Sequence, residues 1–507
     1  MHGIGYWITK RKELTPNHLA IIDKERRVTY AHLNQKVNQL SNSLQESGLH
    51  YGDRCAILAY NCLEFVEVLL ATAKLGAILV PLNYRLSERE LQFILEDSGA
   101  TFLFYGEDFS EKVESLRSHI DVRHYIQIGE KERTFPDHLY ETFISKHPAI
   151  EPIPQKPIDL DTPHIIMYTA GTTGVPKGAI LSHGNNFWNA INMSLCIDLT
   201  SESTALTVLP LFHIGGIGLY TLPTLHAGGT VVIQKVFDPE ITFSLIQKER
   251  ITVMFGVPAM FLFMTQHPQF KKADLSSIRS LMSGGAPLPV HLIEVFYEKG
   301  LFLQQGFGMS EAAPGIASLG KDDALRKAGS IGKPLFHVEV RVVDEEDRDL
   351  PAGEVGELLI RGPNVMKGYW NRPEANVESF TGDWFHTGDL VKCDEEGYLY
   401  VVDRKKDMFI SGGENVYPAE VEHVLYSHPK IAEVAVIGIP DEKWGEVGKA
   451  IVVARFGETL TQEEILNFCQ DKLAKYKIPK GVELTTQLPR NPAGKVLKRE
   501  LKKTFSS

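Results

Sequence analysis

Between residues 19 and 106, short apolar runs alternate with segments of helical periodicity, and that alternation leaves few folds open. Ala20-Ile21-Ile22 and Val28-Thr29-Tyr30 read as strands around a charged turn at 23–27, and Thr29 caps a helix over 31–47 that Gly48 ends. Residues 54–60 read as strand, 62–75 as helix and 77–81 as strand; Ser87 caps a helix over 88–98, and 101–105 returns as strand. Such a rhythm predicts a parallel sheet covered by helices. A helix over 182–198 precedes a second rhythm over 205–303, with strands at 231–233, 252–255 and 280–282. Residues 329–368 change to short strands broken by turns, and 391–403 read as a hairpin turning at 394–397. Residues 418–507 read helix, strand, strand, helix, strand, an α+β unit of about 100 residues. The expected class is α/β: a large N-terminal domain of two α/β subdomains plus a β-rich subdomain, then a small α+β C-terminal domain. Residues 130–160, polar and carrying Pro152, Pro154 and Pro157, read as a connector.

A chain of 507 residues, 43% hydrophobic and 23% charged, can bury a large core. Its net charge of −11 argues against a whole-protein role on nucleic acid. The five cysteines are scattered without a CxxC pair, which suits a reducing compartment better than a zinc site or a disulfide framework. No apolar core of signal-peptide length opens the chain, so the cytoplasm is the expected location. Residues 204–234 carry no charge and are long enough to span a bilayer. Pro210, Gly215, Gly216, Pro223 and Gly228 punctuate them, so the expectation is strands and a helix inside the core.

Residues 167–180, MYTAGTTGVPKGAI, combine glycines that turn backbone N–H groups toward an anion, hydroxyl donors and one lysine. This is polyphosphate-holding chemistry without the Walker pattern, because Pro176 precedes Lys177 and Gly178 follows it. Four further stretches suit small ligands. Ser283-Gly284-Gly285-Ala286-Pro287 and Gln305-Gly306-Phe307-Gly308-Met309-Ser310-Glu311 each follow a predicted strand, where open α/β sheets place ligands. Thr387-Gly388-Asp389 puts a carboxylate in a predicted tight turn, and Asn491-Pro492-Ala493-Gly494-Lys495 offers a lysine on a loop. Any one of these alone would be read as a solvated turn.

In this order, these stretches resemble the adenylate-forming superfamily over nearly the whole chain. Residues 402–422 (VDRKKDMFISGGENVYPAEVE) and 489–501 resemble its acyl-CoA synthetase branch, and residues 321–334 look most like bacterial long-chain fatty acyl-CoA synthetases. The resemblance implies a domain over 1–403, a hinge at 404–406 centred on Lys406, and a mobile C-terminal domain over 407–507. It also implies ATP, Mg2+ and coenzyme A as reactants. Thr169, Thr172, Thr173 and Lys177 would hold the β- and γ-phosphates. Gly284, Gly285, Ala286 and Pro287 would lie along the adenine with Phe307 stacked on it, in the segment of Gln305, Gly306 and Gly308. Ser310 would donate to the α-phosphate, Glu311 would hold Mg2+, and Asp389 and Arg404 would bind the ribose. His213 would sit at the mouth of the acyl pocket, and Lys495 would reach between carboxylate and α-phosphate. Gly412, Gly413 and Glu414 would serve thioester formation after rotation about the hinge. Ala170, Phe307 and Ser310 depart from the commonest Ser, Tyr and Thr of the superfamily without removing a charge.

The implied reaction makes an acyl adenylate and pyrophosphate, then an acyl-CoA and AMP. The uncharged stretch 206–232 favours an apolar acid, medium- or long-chain fatty acids first and aryl acids (cinnamate-like or succinylbenzoate-like) as the alternative. The segment PLFHIGGIG lacks the carboxylate expected of an amino-acid pocket. A non-catalytic nucleotide sensor is the reading from another class, and the retained Glu311, Asp389 and Lys495 speak against it. The basic run Lys498, Arg499, Lys502 and Lys503 could make peripheral contact with an acidic membrane, against a bland reading as a solvated helix end.

Overall fold

The computed structural model describes residues 2–130, 138–169, 176–470, 472–490 and 496–505. Thr172, Thr173 and Lys495 lie outside them. The chain forms two compact units, residues 1–339 with 360–385, and residues 340–359 with 386–507.

The first unit is built on two sheets. In the seven-stranded sheet, Arg54–Leu58 lies between Ile78–Pro81 and Phe102–Gly106, all parallel. Pro163–Thr169 and Lys177–Ser182 close one edge as an antiparallel pair. Thr29, Ser87 and Ser182 cap the helices that follow them, each accepting a backbone N–H. The first two strands depart from the expected single sheet. Leu19–Asp23 and Arg26–Thr29 form an antiparallel hairpin, and Leu19–Asp23 runs parallel to Thr230–Ile233 in the nine-stranded sheet. Two residues between strands leave no length for a crossover, so only a hairpin can form there. Arg26, bonded to Asp23 and Glu64, holds the turn.

The nine-stranded sheet runs in the order Lys333–Pro334, Gly315–Ser318, Leu303–Gly308, Ser280–Ser283, Val253–Gly256, Thr204–Thr207, Thr230–Ile233, then the hairpin. Leu206, Val232, Phe243, Met254, Phe261 and Phe296 form its core. The uncharged stretch resolves into a strand, a π-helical turn Gly215–Thr221, a helix Leu222–Ala227 and a second strand. Among the described residues no helix is long and apolar enough to cross a membrane. One element falls outside the sequence reading and one local expectation needs correction. A helix Tyr6–Leu14 precedes the first strand, and the connector contains a helix, Tyr140–Ser145, whose Tyr140 is buried against Glu67.

In the second unit Leu399–Arg404 pairs antiparallel with residues 389–393 of the strand Trp384–Cys393, the expected hairpin. A further sheet runs Glu414–Val416, Phe409–Ser411, Gly445–Ala454, Ile431–Asp441, with Gly481–Leu484 parallel on Gly445–Ala454. Val421 and Leu425 of helix Pro418–Tyr426 and Ile465 of helix Gln462–Cys469 join Phe409 and Val436 of the sheet in one core. The helix Lys498–Phe505 buries Leu501. Lys498 is turned inward onto Glu422 at 2.8 Å, so the basic run does not present all its charges outward.

Candidate adenylation site

Thr169 and Lys177 stand opposite each other where the last two strands of the seven-stranded sheet part, so the sheet fixes both ends of the phosphate-loop segment. Glu311 lies in a single 3-10 turn, Ser310–Ala312, and is 7% exposed. Segment 364–370 holds that turn. Asn364 donates to the carbonyls of Ala312 (2.7 Å) and Gly315 (2.8 Å), and Met366 N–H donates to Glu311 O at 2.7 Å. Tyr369 then donates its hydroxyl to Glu311 Oε1 at 2.9 Å, while Lys177 Nζ lies 5.2 Å from the centre of the Tyr369 ring. Burial, then the charge on Glu311, pushes the Tyr369 phenol well above its ordinary range, so it stays a donor. A buried carboxylate with hard oxygen donors suits Mg2+.

The two segments expected along the adenine meet at the carboxyl ends of two parallel strands. Ser283 and Gln305 are register partners, and Ser283 Oγ and Gln305 Oε1 are buried without a hydrogen-bond partner. Buried polar atoms are seldom left unpaired, and two side by side at a strand end call for a polar ligand. Gly284 is buried beside them, and Gly285, Ala286 and Pro287 are exposed. Phe307 lies inside a strand, correcting the expectation that Gln305, Gly306, Phe307 and Gly308 follow one. Leu303–Gly308 pairs first with Ser280–Ser283 and then, from Gly306 on, antiparallel with Gly315–Ser318. Hydrophobic periodicity could not foresee it because glycines interrupt the run. His213 is exposed, and its Nδ1 accepts the Gly215 N–H at 3.1 Å, which seats the ring just ahead of the π-helical turn.

The second unit carries the remaining candidates. Thr387, Gly388 and Asp389 occupy a strand where a tight turn was expected. Gly388 takes φ +70°, a conformation a side chain would disfavour, and its N–H donates to Glu357 Oε1 at 3.1 Å. Thr387 Oγ1 bonds Leu358 O at 2.7 Å and accepts the Asp389 N–H at 3.1 Å. Arg404 Nε meets the buried Asp389 carboxylate at 2.9 Å. Lys406 is exposed in a turn closed by Asp407 N–H to Arg404 O at 2.9 Å. Gly412 and Gly413 turn the hairpin Phe409–Ser411/Glu414–Val416, leaving Glu414 exposed.

The structure thus joins Lys177 to Glu311 through Tyr369, sets Gly284 beside Gln305, and pairs Asp389 with Arg404. Tyr369 and Asn364 escaped the sequence reading, and only the aromatic pair after Gly368 marks the segment.

The family model described as AMP-binding enzyme matches residues 8–370, and the model of the AMP-binding enzyme C-terminal domain matches residues 420–495. A feruloyl-CoA synthase from an Amycolatopsis species is 43% identical over 503 residues, 99% of each chain. A long-chain-fatty-acid–CoA ligase from Mycobacterium tuberculosis is 38% identical over 509 residues, covering 100% of this chain and 99% of its own. The o-succinylbenzoate coenzyme A synthetase of Bacillus subtilis, solved with ATP and magnesium ion, superposes with a TM-score of 0.88 at 36% identity, over 98% of this chain and 99% of that one.

Proposed function

The chain belongs to the AMP-binding enzyme family, and from that premise we propose that it joins an aromatic carboxylic acid to coenzyme A through an acyl adenylate. It is an AMP-forming acid–thiol ligase that uses ATP, Mg2+ and coenzyme A. One observation carries the choice of acid. Beside Gly215 and Gly216, which follow His213 in the chain, lies a slot walled also by Leu206, Leu209, Tyr220 and Phe255, with a volume of about 10 Å3. Tyr220 and Phe255 meet edge to face with centroids 6.2 Å apart. A Cβ on Gly216 would fall 2.2 Å from Pro210 O, so the backbone itself forms one wall. The void has room for about one water, so this wall offers aromatic faces and no preformed channel for a long alkyl chain. The 43% identity to a feruloyl-CoA synthase supports the same reading.

In this reading the acid's carboxylate lies beside His213 and attacks the α-phosphorus of ATP, forming the acyl–O–P bond as pyrophosphate leaves. Two anions must approach, and preorganised donors and cations supply most of the help. Lys177 and Thr169 hold the leaving pyrophosphate, Ser310 donates to the α-phosphate, and Lys495 bridges the two anions. Mg2+, held by Glu311, would neutralise phosphate charge. Asp389 and Arg404 hold the ribose. Rotation at Lys406 then withdraws Lys495 and presents Gly412, Gly413 and Glu414 to the thioester-forming site, where the coenzyme A thiolate displaces AMP. None of the five cysteines forms a disulfide, which fits residence in a reducing cytoplasm.

A medium- or long-chain fatty acid is the second reading, favoured by the 38% identity to the mycobacterial ligase. Acid-dependent AMP release, measured over a panel of cinnamate-type, benzoate-type and fatty acids, decides between them. Higher kcat/KM for an aromatic acid is expected; a fatty acid on top would transfer the assignment to the second reading. No AMP with any acid would revive the sensor.

A further inference from the structure

Glu311 and Lys177 have opposite charges and separate tasks in the proposed site, and one side chain touches both. The Tyr369 hydroxyl donates to Glu311 Oε1 at 2.9 Å, and its ring lies under the Lys177 ammonium at 5.2 Å. Tyr369 is itself fixed from every side. Its N–H donates to Asn376 Oδ1 at 2.6 Å, and Asn376 Nδ2 donates back to Tyr369 O at 3.2 Å. Its neighbours are stitched to the strand Lys177–Ser182: Ile180 N–H to Gly368 O (2.9 Å), Lys367 N–H to Ile180 O (3.0 Å) and Trp370 N–H to Gly178 O (2.7 Å). Tyr369 and Ala179 form an antiparallel bridge. The strand that carries Lys177 and the turn that carries Glu311 are thereby tied to one rigid strap.

We propose that Tyr369 is a positioning residue for ATP binding, orienting the Glu311 carboxylate toward the metal and seating Lys177 on its ring for the phosphates. This rests on the roles given above to Glu311 and Lys177. With Oε1 engaged by the phenol, the carboxylate cannot swing, and a cation meets one orientation of it. The ring face attracts the ammonium without neutralising it, leaving its charge for phosphate. Phe in place of Tyr removes the first function and keeps the second; Leu removes both.

The test is nucleotide binding, measured by calorimetry with ATP in EDTA and over a titration of Mg2+, with no acid and no turnover. Tyr369→Phe is expected to raise the Mg2+ concentration that half-saturates the gain in ATP affinity by about tenfold and to leave metal-free ATP binding unchanged. Tyr369→Leu is expected to weaken metal-free binding as well, by about threefold. Glu311→Gln is run beside them. If Glu311→Gln shifts the Mg2+ dependence and Tyr369→Phe does not, the positioning role is overturned. If Glu311→Gln shifts nothing either, the metal role of Glu311 fails and this inference falls with it. Phe keeps the ring packing, and an unchanged thermal midpoint in the EDTA series separates positioning from a loss of fold.

Discussion

Asp389 and Arg404 stand directly opposite each other on antiparallel strands, and Arg404 Nε reaches the Asp389 carboxylate at 2.9 Å. The aspartate side chain is 4% exposed and the arginine 43%, so the carboxylate is held from within while its partner faces outward. In the proposed site such a pair would present a fixed acceptor to ribose hydroxyls. Asp389→Asn keeps the shape and removes the charge. It is expected to lower kcat/KM for ATP by about tenfold or more and to leave the KM for the acid unchanged. Initial-rate measurements over both substrates check this.

The two half-reactions separate Lys495 from Lys406. Lys495→Ala is expected to cripple acyl-adenylate formation, by about a hundredfold or more, while still converting supplied acyl adenylate to thioester. Lys406→Pro stiffens the turn after Arg404 and is expected to do the reverse, sparing pyrophosphate release and slowing the thioester step. Rapid-quench measurement of each step on its own shows whether the losses divide in this way.

Tyr220 carries a buried hydroxyl, coupled to Ser280, on the wall of the proposed slot. Tyr220→Phe keeps the ring and removes the hydroxyl with its bond to Ser280, so it is expected to lower the thermal midpoint slightly, by about 1–2 °C. It is also expected to erase any preference for ring-hydroxylated over unsubstituted aromatic acids. Calorimetric melting and paired kcat/KM values read the two effects independently.

Away from the site, Glu67 lies wholly inside the first unit, bonded by the Tyr140 hydroxyl. Burial pushes its carboxyl up from 4.5 to about 7. A folded pKa above the unfolded one means the folded state binds the extra proton. That stabilisation is full below pH 4.5 and is lost as pH rises through about 7. Glu67→Gln keeps a neutral hydrogen-bonding group at every pH. It is expected to match the native protein near pH 5 and to exceed it by ~2 kcal/mol near pH 8, in denaturant unfolding at the two pH values.

The alternating pattern made most of the secondary structure legible, because strand and helix periods and the caps at Thr29, Ser87 and Ser182 are local signals. What it could not convey was sheet membership. Leu19–Asp23 reads like any other buried strand, yet its neighbour is Thr230–Ile233, more than two hundred positions away. The site divided similarly. Glycine-rich strand ends, the carboxylates and the lysines carry their chemistry in their letters, so Lys177, Glu311 and Asp389 could be named from sequence. Tyr369 could not, because its role is set by an oxygen of Glu311, 58 residues earlier, and by the strap that folds back over Lys177–Ser182. The Thr387-Gly388-Asp389 segment was legible as a carboxylate carrier and misplaced as a turn, since the bond from Gly388 to Glu357 that fixes it in a strand is not local.

The most direct measurement is a competition. An equimolar mixture of a cinnamate-type acid and dodecanoate is offered with limiting ATP and coenzyme A, and the two thioesters are quantified by mass spectrometry. Their ratio is the ratio of kcat/KM values. The proposed slot between Tyr220 and Phe255 calls for the aromatic thioester in excess by about tenfold, ~1.4 kcal/mol in barrier. An excess of dodecanoyl-CoA would contradict it.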